Sequence, residues 1–159
     1  MRLLSVTALA GCLALQAGGA EAWGPDGHQT VGAIADQLIA GTPTAKHVRK
    51  ILGSTLRMVG RHPDRTEGRP IRQERGREAE QVPTTPAAPS GWSTTWATDT
   101  IVVGKIAFAD VAYSTEDTHH QWKVTLPPGY SEMKENLQRE QLIKAGARLA
   151  QLLTALFPQ

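Results

Sequence analysis

The stretch Trp23-Gly24-Pro25-Asp26-Gly27-His28 holds the residues best suited to chemistry. A chain that begins at Trp23 carries a free α-amine there. That amine and the carbonyl oxygen of the same residue can close a five-membered ring on a metal ion. An α-amine has a pKa of about 7.7–8.0 and loses its proton to zinc readily. Gly24 and Gly27 let the backbone fold back, and the His28 imidazole supplies a third ligand of a type zinc prefers. The ordinary role of a lone histidine at a helix start is a cap or a packed residue. Spacing alone therefore does not assign the metal.

The amine exists only if the chain is cut before Trp23, and the N-terminus predicts that cut. Arg2 is followed by an apolar run from Leu3 to Leu15, then by Gly18-Gly19-Ala20. Ala20-Glu21-Ala22 fits an A-x-A cleavage site, so residues 1–22 read as a secretory signal and the product as secreted or periplasmic. Leu9-Ala10-Gly11-Cys12 is a rival lipoprotein box that would anchor the chain through Cys12. No stretch of the sequence is long and apolar enough to span a membrane.

Cleavage leaves 137 of the 159 residues, enough for one domain. The lone cysteine, Cys12, leaves with the signal, so a metal site must use His, Asp, Glu and backbone groups. The formal charge is +2, and residues 57–80 account for it with seven Arg against five acids. The remainder of the mature chain is balanced, without the broad basic face that tracks nucleic acid by charge alone.

A mainly α fold is expected to position these residues. Gly27 to Ile39 has a helical stripe at Val31, Ile34, Ala35 and Leu38, and His28 lies one turn earlier on the same inward side. Gly41 ends this helix. Thr42 and Pro43 open a second, Gly53 closes it, and Ala45, Val48 and Leu52 share its apolar face while His47 lies on the polar one. The two helices are expected to form an antiparallel pair. Trp96 to Tyr113 reads as a helix, with a strand as the alternative, and Trp96, Thr100, Val103, Ala107 and Val111 share one side. The last helix is the plainest. Ser131 is its N-cap, Leu142, Ala145, Leu149, Leu152 and Leu156 form its inward row, and Pro158 stops it.

Residues 59–95 differ in kind. Val59, Ile71 and Val82 are their only aliphatic residues in 37 positions. The composition predicts a disordered segment, linker-like from Thr84 to Gly91. The expected organisation is a signal at 1–22, a helical part at 23–58, this segment at 59–95, and a second helical part at 96–159.

Trp23-Gly24-x-x-Gly27-His28 after a signal peptide resembles the mature N-terminus of the trinuclear zinc, single-strand-specific nucleases of the S-one/P-one family, relatives of the bacterial zinc phospholipases C. The similarity continues through Gln29–Ile39 to Val48-Arg49-Lys50-Ile51-Leu52-Gly53. It returns at Trp96-Ala97, at Trp122-x-Val124-Thr125-Leu126-Pro127-Pro128-Gly129-Tyr130, and at Lys144-Ala145-Gly146-x-Arg148-Leu149-Ala150-x-Leu152-Leu153. The resemblance implies a helical nuclease-like fold, three zinc ions, and hydrolysis of phosphodiester bonds in single-stranded DNA or RNA, often with 3′-nucleotidase activity. A zinc phospholipase C-type hydrolase is the neighbouring alternative. The resemblance carries metal-ligand roles over only to Trp23 and His28, both of one zinc position.

The departures are large. Where the family has a Trp-Ala-Asp turn, this chain has Leu56-Arg57-Met58. The family's His-x-x-Gly-Asp-x-His-Gln-Pro and Asn-x-His-x-x-Trp-Asp runs are absent. Residues 59–95 stand in place of a longer stretch and look like a shifted reading frame or a deletion join, with an evolved linker as the competing reading. The expected product is thus a zinc nuclease by descent with impaired activity, or a non-catalytic exported remnant binding at most one zinc. Single-stranded nucleic acid or nucleotides are the expected substrates, and no protein partner is predicted. The other ligand candidates are His62 with Asp64, and His119-His120 beside Glu116 and Asp117. Adjacent histidine side chains point apart, which argues against the second group. Asp110 reads as an exposed helix residue.

Overall fold

The computed structural model describes residues 24–56, 69–86, 88–115, 117–118 and 121–158. The signal segment, Trp23, His62, Asp64, Glu116, His119 and His120 lie outside them. The architecture is mainly α, as expected. Helices α1 (Gly24–Leu38), α2 (Pro43–Leu52), α3 (Arg69–Ala79), α4 (Trp92–Phe108) and α5 (Tyr130–Leu156) follow in order. A two-stranded antiparallel hairpin lies between the last two. Strand β1 (Ala112–Tyr113) pairs with β2 (Val124–Thr125), Tyr113 opposite Val124.

Local signals set α2 as expected. The Thr42 hydroxyl accepts a hydrogen bond from the Ala45 N–H at 3.3 Å, Pro43 opens the first turn, and Gly53 closes the helix at φ 65°. Leu52 is exposed rather than packed, whereas Thr44, which the pattern did not single out, is buried. Its hydroxyl donates to the Phe157 carbonyl at 2.9 Å and so ties α2 to the far end of α5.

The centre of the molecule is α1 against α5. The expected α1–α2 pairing is secondary, because α2 meets α1 only where Ala45 and Val48 join Ala35, Ile39 and Ala150 in one apolar cluster. Along α5 the buried residues are Leu142, Ile143, Gly146 and Ala150. This corrects the inward row read from the leucines, since Leu156 is 60% exposed. Glycine and alanine on α5 let α1 come close. A Cβ on Gly146 would lie 2.5 Å from Ile34 Cβ and 3.3 Å from the Val31 carbonyl. That contact turns Gly146 and Ala150 inward and leaves Leu149 and Leu153 packing at its flank.

Residues 69–95 depart from the expectation of disorder. Helix α3 is built mainly from Arg, Gln, Glu and Ala, all good helix formers. It docks with small residues, so it needs few aliphatic ones. Ala79 joins Ile34 and Ile143 in a second apolar cluster with Val82 at its edge, and Gly76 lies directly against Gln37. Arg139 of α5 bonds Glu78 and reaches Glu74 at 3.6 Å.

The stretch read as linker-like is pinned as well. The Thr85 N–H donates to Gln151 Oε1 at 3.0 Å, and Gln151 Nε2 donates back to the Thr85 carbonyl at 2.8 Å. Trp96 Nε1 donates to the Thr85 hydroxyl at 2.6 Å. Residues 59–68 of the same segment lie outside the described residues.

The stretch from Trp96 to Tyr113 is helix only as far as Phe108, where α4 ends, and its last two residues, Ala112–Tyr113, are strand. Helix α4 starts four residues before Trp96, at the buried Trp92. Trp96, Val103, Ala107 and Val111 are partly buried as expected, but Thr100 is exposed and its hydroxyl bonds the Trp96 carbonyl. Helix α5 begins at Tyr130 after Gly129 at φ 75°, so Gly129 rather than Ser131 holds the cap position.

Candidate metal centre

Helix α1 opens at Gly24, and Asp26 stands in its first turn. The positive end of a helix dipole disfavours a bound cation, and a carboxylate in the first turn offsets that. His28 follows on the first turn. The sequence pattern placed it on the inward stripe, but the structure places it on the surface. Its neighbours Gln29 and Thr30 are the buried residues. Helix α2 packs near the other end of α1, where Ala45 and Val48 meet Ala35 and Ile39. Trp23, the second predicted ligand, lies outside the described residues.

Beside this turn a cleft of about 530 Å³ runs between α1, α3 and α5. Asp26, Thr30, Arg75, Glu135, Arg139 and Leu142 line it. Thr30 Oγ1 donates to the Asp26 carbonyl at 2.9 Å, which holds the turn closed. Arg139 is engaged by Glu74 and Glu78. Its charge is thus already met.

The described residues contain no group of three or more His, Cys, Asp or Glu side chains placed to hold a metal ion. The donor groups that the N-terminal motif contains are the His28 imidazole and, for a chain cut before Trp23, the Trp23 amine and carbonyl. Such a set fits a partial, open site and not a closed four-ligand one. No hydrolytic step is derived through it.

The remaining candidates have structural roles or fall outside. His47 is exposed on α2, as expected, and its ring stacks on Phe157 with centroids 4.4 Å apart. Asp110 is exposed just beyond α4. Asp117 Oδ1 accepts the Gln121 N–H at 2.9 Å and shapes the hairpin turn.

One charged group escaped the sequence reading. Asp99 on α4 bonds Arg148 of α5 at 2.6 Å and lies 3.5 Å from Lys144. Arg148 also sits 5.7 Å from the centre of the Trp96 ring, a cation–π distance. The i,i+4 spacing of Lys144 and Arg148 was a usable signal, but nothing local said that Asp99 would meet it. The hydrogen bond from Arg148 holds the Asp99 carboxyl below its ordinary range, helped by the charges of Lys144 and Arg148 and opposed by partial burial.

A lowered carboxyl pKa favours folding while the group is ionised. The stabilisation is complete above the unfolded value of about 3.9 and is lost as pH falls through the folded value beneath it. Asp99→Asn should therefore lower stability near neutral pH by up to about 1 kcal/mol, the scale of a half-exposed ion pair. The gap between variant and parent should close as pH falls below the carboxylate range and Asp99 is protonated in both states. Thermal unfolding of both proteins across this range checks it; a gap independent of pH would show that the carboxylate charge is not the cause.

No family model matches this chain, and neither the curated proteins nor the solved structures contain a significant match to it.

Proposed function

We propose that this chain is an exported relative of the zinc single-strand nucleases, with one partial zinc position at Trp23 and His28 and with impaired phosphodiester hydrolysis. The observation that carries the reading is the packing of two separated stretches. The resemblance occupies residues 23–58 and 96–159, and α1 from the first lies directly on α5 from the second, with Ile34 against Gly146. Two fragments joined by chance have no reason to meet through a glycine seat and a buried isoleucine. A mainly α architecture also supports it, because the resemblance implies one.

The impairment follows from the ligand inventory. Hydrolysis at a metal cluster requires ions that bind the phosphate, activate a water and stabilise the leaving oxygen. The motifs that carry the other ligands in the family have no counterpart here. The exported chain should therefore release nucleotides from single-stranded DNA only weakly, and should leave phosphatidylcholine intact. Vigorous, chelator-sensitive cleavage of the DNA would refute the impairment. Hydrolysis of phosphatidylcholine in preference to DNA would move the chain to the phospholipase side of the resemblance.

A further inference from the structure

A second cleft, of about 460 Å³, lies where the end of α1, the turn after α3, the start of α4 and the second half of α5 meet. Leu38, Ile39, Val82, Trp92, Ala147 and Ala150 line it. It is separate from the N-terminal motif, since Leu38 stands about 15 Å beyond His28 along the axis of α1.

Trp92 gives this cleft its chemistry. The residue is 6% exposed, and its Nε1 donor is buried without a hydrogen-bond partner among the described residues. A buried indole N–H ordinarily finds an acceptor. One left unpaired costs more than a made hydrogen bond contributes. The neighbouring Trp96 has the usual arrangement: its ring lies 5.5 Å from that of Trp92, and its Nε1 donates to the Thr85 hydroxyl. The polar side chains that α5 brings to the cleft are engaged as well. The Gln151 amide exchanges hydrogen bonds with the Thr85 backbone, and the Thr154 hydroxyl donates to the Ala150 carbonyl at 2.9 Å. A water beside Trp92 would therefore find few further groups to bond, whereas a buried water ordinarily holds roughly two to four.

We infer that the cleft binds a small, uncharged, mainly apolar molecule whose carbonyl oxygen accepts the Trp92 Nε1 hydrogen bond. Three observations select that class. The volume falls among small-molecule sites, which span about 300–1,000 Å³ and pair an apolar wall with a few placed polar groups. The group left over is a donor only, so the ligand must bring the acceptor. The described lining holds no Lys, Arg or His, and its one charge is the carboxylate of the exposed Glu80. An anionic ligand would lose its hydration there without meeting a counter-charge.

Acetophenone, ethylbenzene and benzoate test this as a matched set: one ring with a carbonyl, without an acceptor, and with a charge. Each is titrated into the isotope-labelled exported chain while the indole N–H signals are followed by NMR. The Trp92 signal is identified by its loss in Trp92→Phe, or by transfer to its own backbone should that variant not fold. Acetophenone should bind saturably with a Kd of about 1 mM or tighter. It should move the Trp92 signal downfield and leave that of the exposed Trp122 in place. Ethylbenzene should bind about threefold to tenfold more weakly, the worth of one hydrogen bond, and without the downfield movement. Benzoate should bind more weakly than acetophenone by about tenfold or more. Ala147→Leu puts a good helix former into the cleft, and should weaken acetophenone by about tenfold or more with helical content unchanged. No saturable binding of acetophenone, a Trp92 signal indifferent to it, ethylbenzene or benzoate bound as tightly, or an affinity unchanged in Ala147→Leu would overturn the inference.

Discussion

Gly146→Leu should destabilise the fold by about 3 kcal/mol, the upper part of the range for forcing atoms into a packed core. The glycine has two opposing effects. In mid-helix it costs about 1 kcal/mol relative to alanine, so a substitution that fitted would stabilise. At this position the packing term wins. The first added atom already lies 2.5 Å from both Cβ and Cγ2 of Ile34 and 3.3 Å from the Val31 carbonyl. Cβ and a carbonyl belong to the rigid parts of α1 and cannot swing away, so the two helices must separate along their length. Leu142, Ile143 and Ala150 would lose contact together. Chemical denaturation should show a lower midpoint with a similar slope. A midpoint equal to that of the parent would mean that the α1–α5 contact is looser than described.

Ile34→Ala is the complementary experiment from the other side of the same contact. Ile34 is 1% exposed and packs with Ala79 and Ile143. Its truncation removes three buried carbon groups and opens a cavity between α1, α3 and α5, for an expected loss of about 2–5 kcal/mol. The two sites touch, so their effects should not add. In Ile34→Ala the Cγ2 contact is gone while Cβ stays 2.5 Å from the added atom, so the strain of a Gly146→Ala substitution should be relieved in part and not abolished. A coupling of about 1 kcal/mol or more in the double-mutant cycle is expected. Strict additivity would argue against direct contact between Ile34 and Gly146. A loss below about 0.5 kcal/mol for Ile34→Ala would remove Ile34 from the core.

Where a residue's local neighbours decide its role, the sequence was readable. Thr42, Pro43 and Gly53 mark the ends of α2 because capping depends on backbone donors and angles within one turn. The helical period of α1 pointed to Ile34 and Ala35, and both are buried. Long-range partners were another matter. The leucines of α5 looked like the buried row because they are the largest apolar residues, yet the closest approach is made at Gly146 and Ala150. Helix α3 was missed for a related reason. Counting aliphatic residues measures the capacity for a core of large side chains, and α3 docks through Gly76, Ala79 and ion pairs to Arg139. Thr85 likewise looked like linker, and only the distant Gln151 and Trp96 give it a fixed place.

The candidate site divides in the same way. The position of His28 near the start of a helix was legible from the period of α1, but the helix opens at Gly24, so Gly24 and Gly27 are helical and do not fold the backbone back as expected. The exposure of His28 was not legible, because a helical period does not say how far along α1 the packing of its neighbours extends. The Asp99–Arg148 pair needed the α4–α5 contact before it had any meaning.

Zinc content is the most direct measure of the central claim. The exported chain, its N-terminus fixed by mass as Trp23, should be equilibrated with zinc, dialysed and subjected to elemental analysis beside His28→Ala. No more than one zinc per chain is expected, held weakly because three donors leave the tetrahedral site open, and lost in the variant. Three zincs per chain with strong, chelator-sensitive cleavage of single-stranded DNA would contradict it, as would zinc retained unchanged in His28→Ala.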